Sequence, residues 1–386
     1  MVNNWRKWTP AVVAVVVVAG VAVAVPVAAN ASVSLPSKTP AQVLELIQSS
    51  RVTAFSGEIT ETSDLGLPTL SVSGAPTGGG AGGSDSSLAS DLALITGINS
   101  LRVYVDGAKN IRLQDLESLG EQDVIRHGND LWTYDSKTNA VEHATLSGND
   151  LTQHSHVGTP AHIPTGSETT ALGSQAGNNT VVPTTPEAIA NDILSKLRGT
   201  STVTVSDSVR VAGRPAYDLV LTPKATDTLV GSISIAVDAA TGLPLQVQVD
   251  AAGQKDPAVS IGFTSLDLST PSASLFDFTP PTGATVKQLT TTRPDGQGTP
   301  GPHTGTKPSG AKPTVTGKGW DEVVTVSGSS GSLAKLTTSP EFAELTEAVS
   351  GGRVLHTSLF NVLFTSDGRI VAGAVSVDRL ETVAAQ

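Results

Sequence analysis

The residues whose types and spacing most suggest chemistry are four histidines in the middle of the chain: His143, His154, His156 and His162. His154 and His156 are separated by one serine, so their two imidazoles could bind one metal ion. The chain has no cysteine, and no acidic residue accompanies the pair at a recognised ligand spacing. We therefore expect a solvated loop here, without a metal ion.

The signatures of covalent and acid–base catalysis are weak. The absence of cysteine excludes thiolate nucleophiles, disulfides and lipidation at a cysteine. No serine lies in a G-x-S-x-G turn, and no acidic pair stands out among the scattered carboxylates. The Gly/Ser-rich stretch 72–88 is not followed by the Lys-Ser/Thr pair of a phosphate-binding loop. The sequence predicts a protein that is not an enzyme and holds no cofactor.

Charge and composition narrow the class of partner. The 386 residues include 35 Asp and Glu against 24 Lys and Arg, a net charge of −11. An acidic chain without a basic cluster argues against nucleic acid as a partner. The chain has few charged residues (15%) and few aromatic residues (4%), and it contains 38 Gly and 23 Pro. This composition is typical of β-rich structure with flexible segments.

The N-terminus predicts export. Arg6 and Lys7 precede an almost pure Val/Ala run over residues 10–29, and Ala29-Asn30-Ala31 fits a signal-peptidase site. An uncleaved membrane anchor is the alternative, because about 20 apolar residues can span a bilayer. Either interpretation of residues 1–31 places residues 32–386 outside the cytoplasm.

The elements that would position any site are mostly strands. Alternation such as Leu101, Val103 and Val105 recurs in short segments bounded by turn residues. Only two amphipathic helices interrupt them, beginning at Thr39-Pro40 and Thr185-Pro186 with good caps. Two helices are too few to cover a parallel sheet. The pattern therefore predicts a mainly β fold, a curved antiparallel half-barrel with helices plugging its concave face.

Composition also divides the chain into domains. Residues 32–285 form the half-barrel domain, with 72–88 as a flexible insertion. Residues 286–318 are a Thr/Pro/Gly-rich linker. Residues 319–386 predict a small α+β domain, with a helix from Ser339 to Val349 and strands over 353–364 and 369–377 around a hairpin turn.

Four motifs carry a family resemblance: residues 111–128, the hairpin 128–135 (GNDLWTYD), the hairpin 231–247 around Asp238 and Gly242, and the closing segment 275–281 (LFDFTPP). Their types and order over residues 39–283 resemble the LolA/LolB lipoprotein-carrier superfamily, including the N-terminal domain of MucB/RseB. One departure is Asp106-Gly107, which stands where the carrier has a basic residue.

The resemblance implies a half-open barrel whose apolar cavity binds acyl chains or lipidated proteins, so the expected partner is a lipid or an acylated protein. A MucB/RseB-like envelope sensor that contacts a membrane protein is the alternative. A regulator should need residues 319–386 for its partner, whereas a carrier should bind acyl ligand without them. The strands supply these candidate cavity residues: Leu101, Val103, Val105, Trp132, Leu219, Leu221, Ile233, Ile235, Val247, Val249 and Phe263.

Alternation alone does not separate a cavity wall from an ordinary core, since both need apolar side chains on one face. Trp132 and Tyr134 could line the cavity mouth, or form a cross-strand aromatic pair. The face of the sheet on which each side chain lies distinguishes these alternatives.

Overall fold

The computed structural model describes residues 35–67, 97–117, 120–146, 185–289, 313–327 and 340–386. Within these ranges thirteen strands form one large sheet and six form a smaller one. The predicted leader, the Gly/Ser-rich stretch 72–88 and the histidines 154, 156 and 162 lie outside the described residues. None of the described helices has the length and apolar character to cross a bilayer.

The strands of the large sheet are β1 Ala54–Ser63, β2 Gly97–Asp106, β3 Asn110–Glu117, β4 Gly120–His127, β5 Asp130–Asp135, β6 Ala140–Thr145, β7 Ser201–Val205, β8 Val209–Val211, β9 Arg214–Pro223, β10 Val230–Asp238, β11 Pro244–Ala251, β12 Val259–Asp267 and β13 Thr285–Leu289. Their order is β13-β6-β5-β4-β3-β2-β1-β12-β11-β10-β9-β7, with β8 also paired to β9. All pairs are antiparallel except β13 with β6. The sheet is curved and does not close, which confirms the predicted fold class.

Two capped helices cover one face of this sheet. Helix α1 (Pro40–Gln48) begins at Thr39, whose side chain accepts a hydrogen bond from the Gln42 amide while the Gln42 side chain binds back to Thr39. Helix α2 (Pro186–Leu197) begins at Thr185, whose hydroxyl accepts from the Ala188 amide. Both caps were predicted, because a cap depends only on residues within one turn.

We call the face under α1 and α2 the inner face. Residues paired across an antiparallel ladder point to the same side of a sheet, so the register defines the face. One transverse row crosses six strands in the order Val205, Leu219, Ile235, Val247, Ile261 and Glu61. Five of these six positions are apolar, as one buried face requires.

Two apolar cores fill the two ends of the sheet. The helix-side core joins α1 and α2 to β9–β12 and includes Val43, Ile47, Ala190, Ile193, Leu219, Leu221, Ile233, Ile235, Val247 and Val249. The strand-side core includes Phe55, Ile59, Leu101, Val103, Val105, Leu113, Leu243, Leu245 and Phe263. Ile261 packs against both cores.

The opposite, outer face is covered by residues 268–284, which we call the strap. The strap leaves β12, crosses β3 to β5 and joins β6 through β13. Phe276 is 1% exposed, the Arg112 guanidinium donates to the Leu275 carbonyl at 3.4 Å, and Phe278 packs on Trp132 and Tyr134. Residues 286–289, predicted as linker, belong to β13 because they pair with β6.

The small sheet contains β14 Thr314–Thr316, β15 Val323–Ser327, β16 Glu347–Val349, β17 Gly352–His356, β18 Asn361–Thr365 and β19 Arg369–Gly373, in the order β14-β15-β19-β18-β17-β16. Helix α3 spans Pro340–Leu345 and helix α4 spans Val377–Ala384. Helix α4, which the sequence analysis did not predict, packs Leu380 and Val383 into the core of this sheet.

Three predictions in this small domain were wrong in extent, one of them the strand over 369–377, which ends at Gly373. The predicted strand 353–364 is two strands, because the Thr357 hydroxyl accepts from the amides of Leu359 and Phe360 and forms a turn. The predicted helix to Val349 ends at Leu345, where the Arg353 guanidinium donates to the Ala343 carbonyl at 2.9 Å and to the Thr346 carbonyl.

Candidate ligand-binding face of the large sheet

Ten of the eleven predicted cavity residues lie on the inner face. The register places Leu219, Ile235 and Val247 in one row, Leu221, Ile233 and Val249 in the next, and Leu101 and Phe263 on either side of Ile59. Val103 and Val105 follow Leu101 by alternation on β2. Every one of the ten is at most 7% exposed. The sequence pattern therefore identified one continuous apolar surface.

The ten residues divide between the two cores. Leu219, Leu221, Ile233, Ile235, Val247 and Val249 pack beneath α1 and α2 in the helix-side core. Leu101, Val103, Val105 and Phe263 pack in the strand-side core. In this conformation the predicted wall is in contact with protein side chains. A ligand on the inner face therefore has to replace contacts that one of its covering elements makes.

Trp132 lies on the outer face instead. It pairs with Ile125 and His143 across the ladders, and its ring stacks on His143 with 3.8 Å between centroids. Phe278 of the strap lies 5.5 Å from the Trp132 ring. These contacts match the cross-strand aromatic packing that was left open from the sequence, and they hold the strap.

His143 also has a structural place on the outer face. Its Nε2 lies 2.8 Å from Asp130 Oδ1 and its Nδ1 lies 2.9 Å from Gln288 Oε1, so the ring joins β5, β6 and β13. Among the described residues, no group of three or more His, Asp or Glu side chains is placed to bind a metal ion.

Glu61 is the residue of the inner face that the sequence analysis missed. It is 7% exposed and lies directly across from Ile261, two residues after Ile59. Burial raises the pKa of its carboxyl from 4.5 to about 8. A signal was available, since Phe55, Ile59 and Glu61 share the two-residue period of one strand face.

Further acidic and polar groups border the apolar surface. Asp115 pairs with Leu101 on β2 and with Gln122 on β4, and these two polar residues are 5% and 9% exposed. Glu187 lies in the first turn of α2, where its Oε2 is buried without a hydrogen-bond partner. Burial raises the pKa of Glu187 to about 7. The inner side of the sheet thus buries carboxyl groups beside its apolar rows.

On the outer face, a buried carboxyl group is paired with a cation. Asp123 is 2% exposed, and its Oδ2 lies 2.6 Å from Arg112 Nη2. Burial raises the pKa of Asp123 to about 6, against the opposing attraction of Arg112. A shallow cavity of about 330 Å³ also lies on this face, where Glu58, Arg102 and Tyr104 border it.

The small domain docks on the helix-side core. Trp320, Leu359 and Phe360 are members of that core, and Trp320 Nε1 donates to Ser201 Oγ at 2.9 Å. The Ser358 amide donates to the Leu65 carbonyl, and the Leu229 amide donates to the Ala374 carbonyl, both at 2.9 Å. The large sheet, its helices and the small domain therefore share one packed interior.

No protein-family model matches this sequence, and no curated protein matches it either. Among solved structures, the chain is similar to MucB in the Pseudomonas aeruginosa MucA/MucB complex, with 16% identity, a TM-score of 0.42, and coverage of 89% of this chain and 96% of that one. An uncharacterised conserved protein from Thermus thermophilus shares 10% identity at a TM-score of 0.32, covering 64% and 98%. A LolA-superfamily protein from Nitrosomonas europaea shares 10% identity at a TM-score of 0.22, covering 63% and 99%.

Proposed function

We propose that this protein is a non-enzymatic, extracytoplasmic binder or carrier that takes up the acyl chain of a lipid or a lipidated protein on the inner face of its large sheet. The observation that carries the proposal is the continuous apolar row from Val205 to Ile261, crossing five strands of an open sheet. Such a surface suits a chain of methylenes, each of which gains about 0.8 kcal/mol on burial.

Helix α1 is the cover that a ligand displaces at least cost. It buries only Val43 and Ile47, with Leu44 and Leu46 partly buried against the same core. Exposing these four side chains costs on the order of 5–8 kcal/mol. A chain of about twelve methylenes gains about 9 kcal/mol on burial. Long acyl chains can therefore exchange with α1, whereas short ones cannot.

The first experiment is native mass spectrometry of the purified exported protein, followed by lipid extraction and titration with a fluorescent acyl probe. We expect a co-purified acyl species and saturable probe uptake. Val43→Ala weakens the contact of α1 with the sheet, so it should tighten probe binding up to about tenfold. Val286→Ala, at a 44% exposed position on β13, is the matched control and should change nothing.

Two results would count against this function. A protein that carries no lipid and takes up no probe would exclude the acyl-binding proposal. Uptake that Val43→Ala leaves unchanged or weakens would exclude α1 as the displaced cover.

A second candidate is an envelope sensor that contacts a membrane protein, the alternative implied by the sequence resemblance. The observation that favours it is the small domain, whose Trp320, Leu359 and Phe360 lie in the same core as α1. Because they share that core, a ligand that loosens α1 also changes how the small domain is held. Cross-linking in intact envelopes should then trap one membrane protein, and added acyl ligand should change its yield. A yield independent of ligand would favour the carrier.

A further inference from the structure

Glu61 lies at the seam between the two apolar cores. Ile59, two residues before it, belongs to the strand-side core. Its direct cross-strand partner, Ile261, packs against both cores. Val259, which pairs with Ser63 two residues further on, belongs to the helix-side core. A carboxyl group is thus buried where the two apolar cores meet.

The elements around Glu61 offer it no cation. On this face β2 places Asn99 directly across from Glu61, followed by Leu101 and Val103, and β12 presents Val259, Ile261 and Phe263, so neither neighbouring strand contributes a charged group. The next elements outward, β3 and α2, contribute Asp115 and Glu187, which are both acidic. No ion pair or side-chain hydrogen bond joins Glu61 to any other described residue.

Two other buried carboxylates, Asp123 and Asp238, do have cations. Asp123 pairs with Arg112, and Asp238, 1% exposed, accepts two hydrogen bonds from the Arg214 guanidinium at 2.9 and 2.8 Å. A buried carboxylate is costly unless it is paired, and a cation in a low-dielectric site is its strongest partner. Within the described part of the chain, Glu61 has no cation of the kind that Arg112 and Arg214 supply to Asp123 and Asp238.

We propose that Glu61 provides the counter-charge for the ammonium group of an amphiphilic ligand, so that the inner face prefers long-chain amines and amine-bearing lipids to carboxylate-headed lipids of equal chain length. The inference rests on the proposed function, since it assigns the head group of the chain that the apolar rows take up. The acidic residues on β3 and α2 act in the same direction, because they attract a cation and repel a carboxylate.

Binding of such a ligand moves one proton. With its pKa raised to about 8 by burial, the Glu61 carboxyl is mostly protonated at neutral pH. An arriving R–NH₃⁺ favours the carboxylate, so the carboxylic proton leaves to solvent and a carboxylate–ammonium pair remains. The apparent affinity should therefore rise about tenfold for each pH unit well below pH 8 and level off above it.

The experiment is a competition titration at pH 6, 7 and 8 in the exported protein, against a neutral fluorescent acyl probe. The competitors are dodecylammonium and dodecanoate, below their micelle concentrations. We expect the apparent Kd of dodecylammonium to fall about 50-fold from pH 6 to pH 8, because the ionised fraction of Glu61 rises from about 1% to about half. Glu61→Gln should remove this dependence while the neutral probe still binds. Glu58→Gln, on the outward-facing side of the same strand, is the matched control and should keep it.

The outcomes separate this inference from the function it rests on. If no variant binds the neutral probe, the acyl-binding function itself fails. If the probe binds but dodecylammonium shows no pH dependence, or dodecanoate competes better at every pH, only the role of Glu61 fails. A dependence that Glu187→Gln removes and Glu61→Gln retains would also overturn it. Calorimetry of the unmodified protein in buffers of different ionisation enthalpy tests the same step without a variant, and it should find about one proton released per dodecylammonium bound.

Discussion

The two faces of the large sheet bury carboxyl groups in opposite ways. On the outer face Asp123 lies under the strap with Arg112 at 2.6 Å, and Arg112 also donates to the strap at the Leu275 carbonyl. On the inner face Glu61 lies between two apolar cores with no cation from the described strands. On the outer face the chain itself therefore supplies the cation that a buried carboxylate needs. The inner face leaves the Glu61 carboxyl without a cation among the described residues, which is where a ligand can contribute.

The largest loss of stability is expected when the ion pair between Arg112 and Asp123 on the outer face is broken. Arg112→Ala leaves Asp123 buried without its cation and removes the bond to the strap, so it should destabilise the protein by about 3–5 kcal/mol. The measurement is urea unfolding at pH 8, above the raised pKa of Asp123, about 6. The control is Arg102→Ala, which removes an exposed arginine of the neighbouring strand β2 on the same outer face. It should lower the free energy of unfolding by less than about 0.5 kcal/mol. Equal losses of stability in the two variants would show that the ion pair with Asp123 does not stabilise the outer face.

The next largest effect concerns Glu61 on the inner face, where a substitution should increase the stability of the protein instead of lowering it. The folded state raises the pKa of Glu61 above its unfolded value, so the wild-type protein loses stability as the pH rises from about 4.5 through 8. Glutamine does not ionise, so Glu61→Gln should match the wild type at pH 5 and exceed it by several kcal/mol at pH 9. Unfolding curves across this range measure the difference. A variant that is less stable at pH 9 would show that Glu61 is paired.

A smaller effect concerns the small domain, which covers one end of the inner face. Ser201 Oγ accepts from Trp320 Nε1 at 2.9 Å and donates to the Leu197 carbonyl at 2.7 Å. Ser201→Ala leaves the buried indole N–H without its partner and should cost about 1–3 kcal/mol. Tryptophan fluorescence should shift at the same time, since Trp320 loses its hydrogen bond. Unchanged fluorescence and stability would mean that apolar packing alone holds this contact.

The smallest expected change in stability concerns helix α1, which covers part of the inner face. Thr39→Ala removes the capping box of α1 and should destabilise that helix by about 1 kcal/mol. Global stability should change little, but amide exchange in α1 should accelerate about fivefold, and acyl-probe binding should tighten. Thr185→Ala, the equivalent cap of α2, serves for comparison. If the two cap substitutions affect probe binding equally, α1 is not the helix that the ligand preferentially displaces.

The sequence predicted elements whose causes are local. Thr39 and Thr185 start their helices as expected, and Gly242 has the positive φ of 78° expected of the turn between β10 and β11. The period of two on β9–β11 placed their apolar residues on one face correctly. The turn at Thr357 was missed, because its hydroxyl competes with strand pairing only when the chain bends there.

Sequence alone therefore determined the strands, the helix caps and a single apolar surface, since alternation and capping act over a few neighbouring residues. It did not determine which apolar residue lies on which side of the sheet, as Trp132 shows by packing under the strap. Nor did it reveal that Glu61 is buried without a cation among the residues that the structure describes. Those facts depend on the register of β1 with β12 and on the packing of the two cores, which bring residues some 200 positions apart into contact. Only the tertiary structure decides which buried charge meets a cation and which does not.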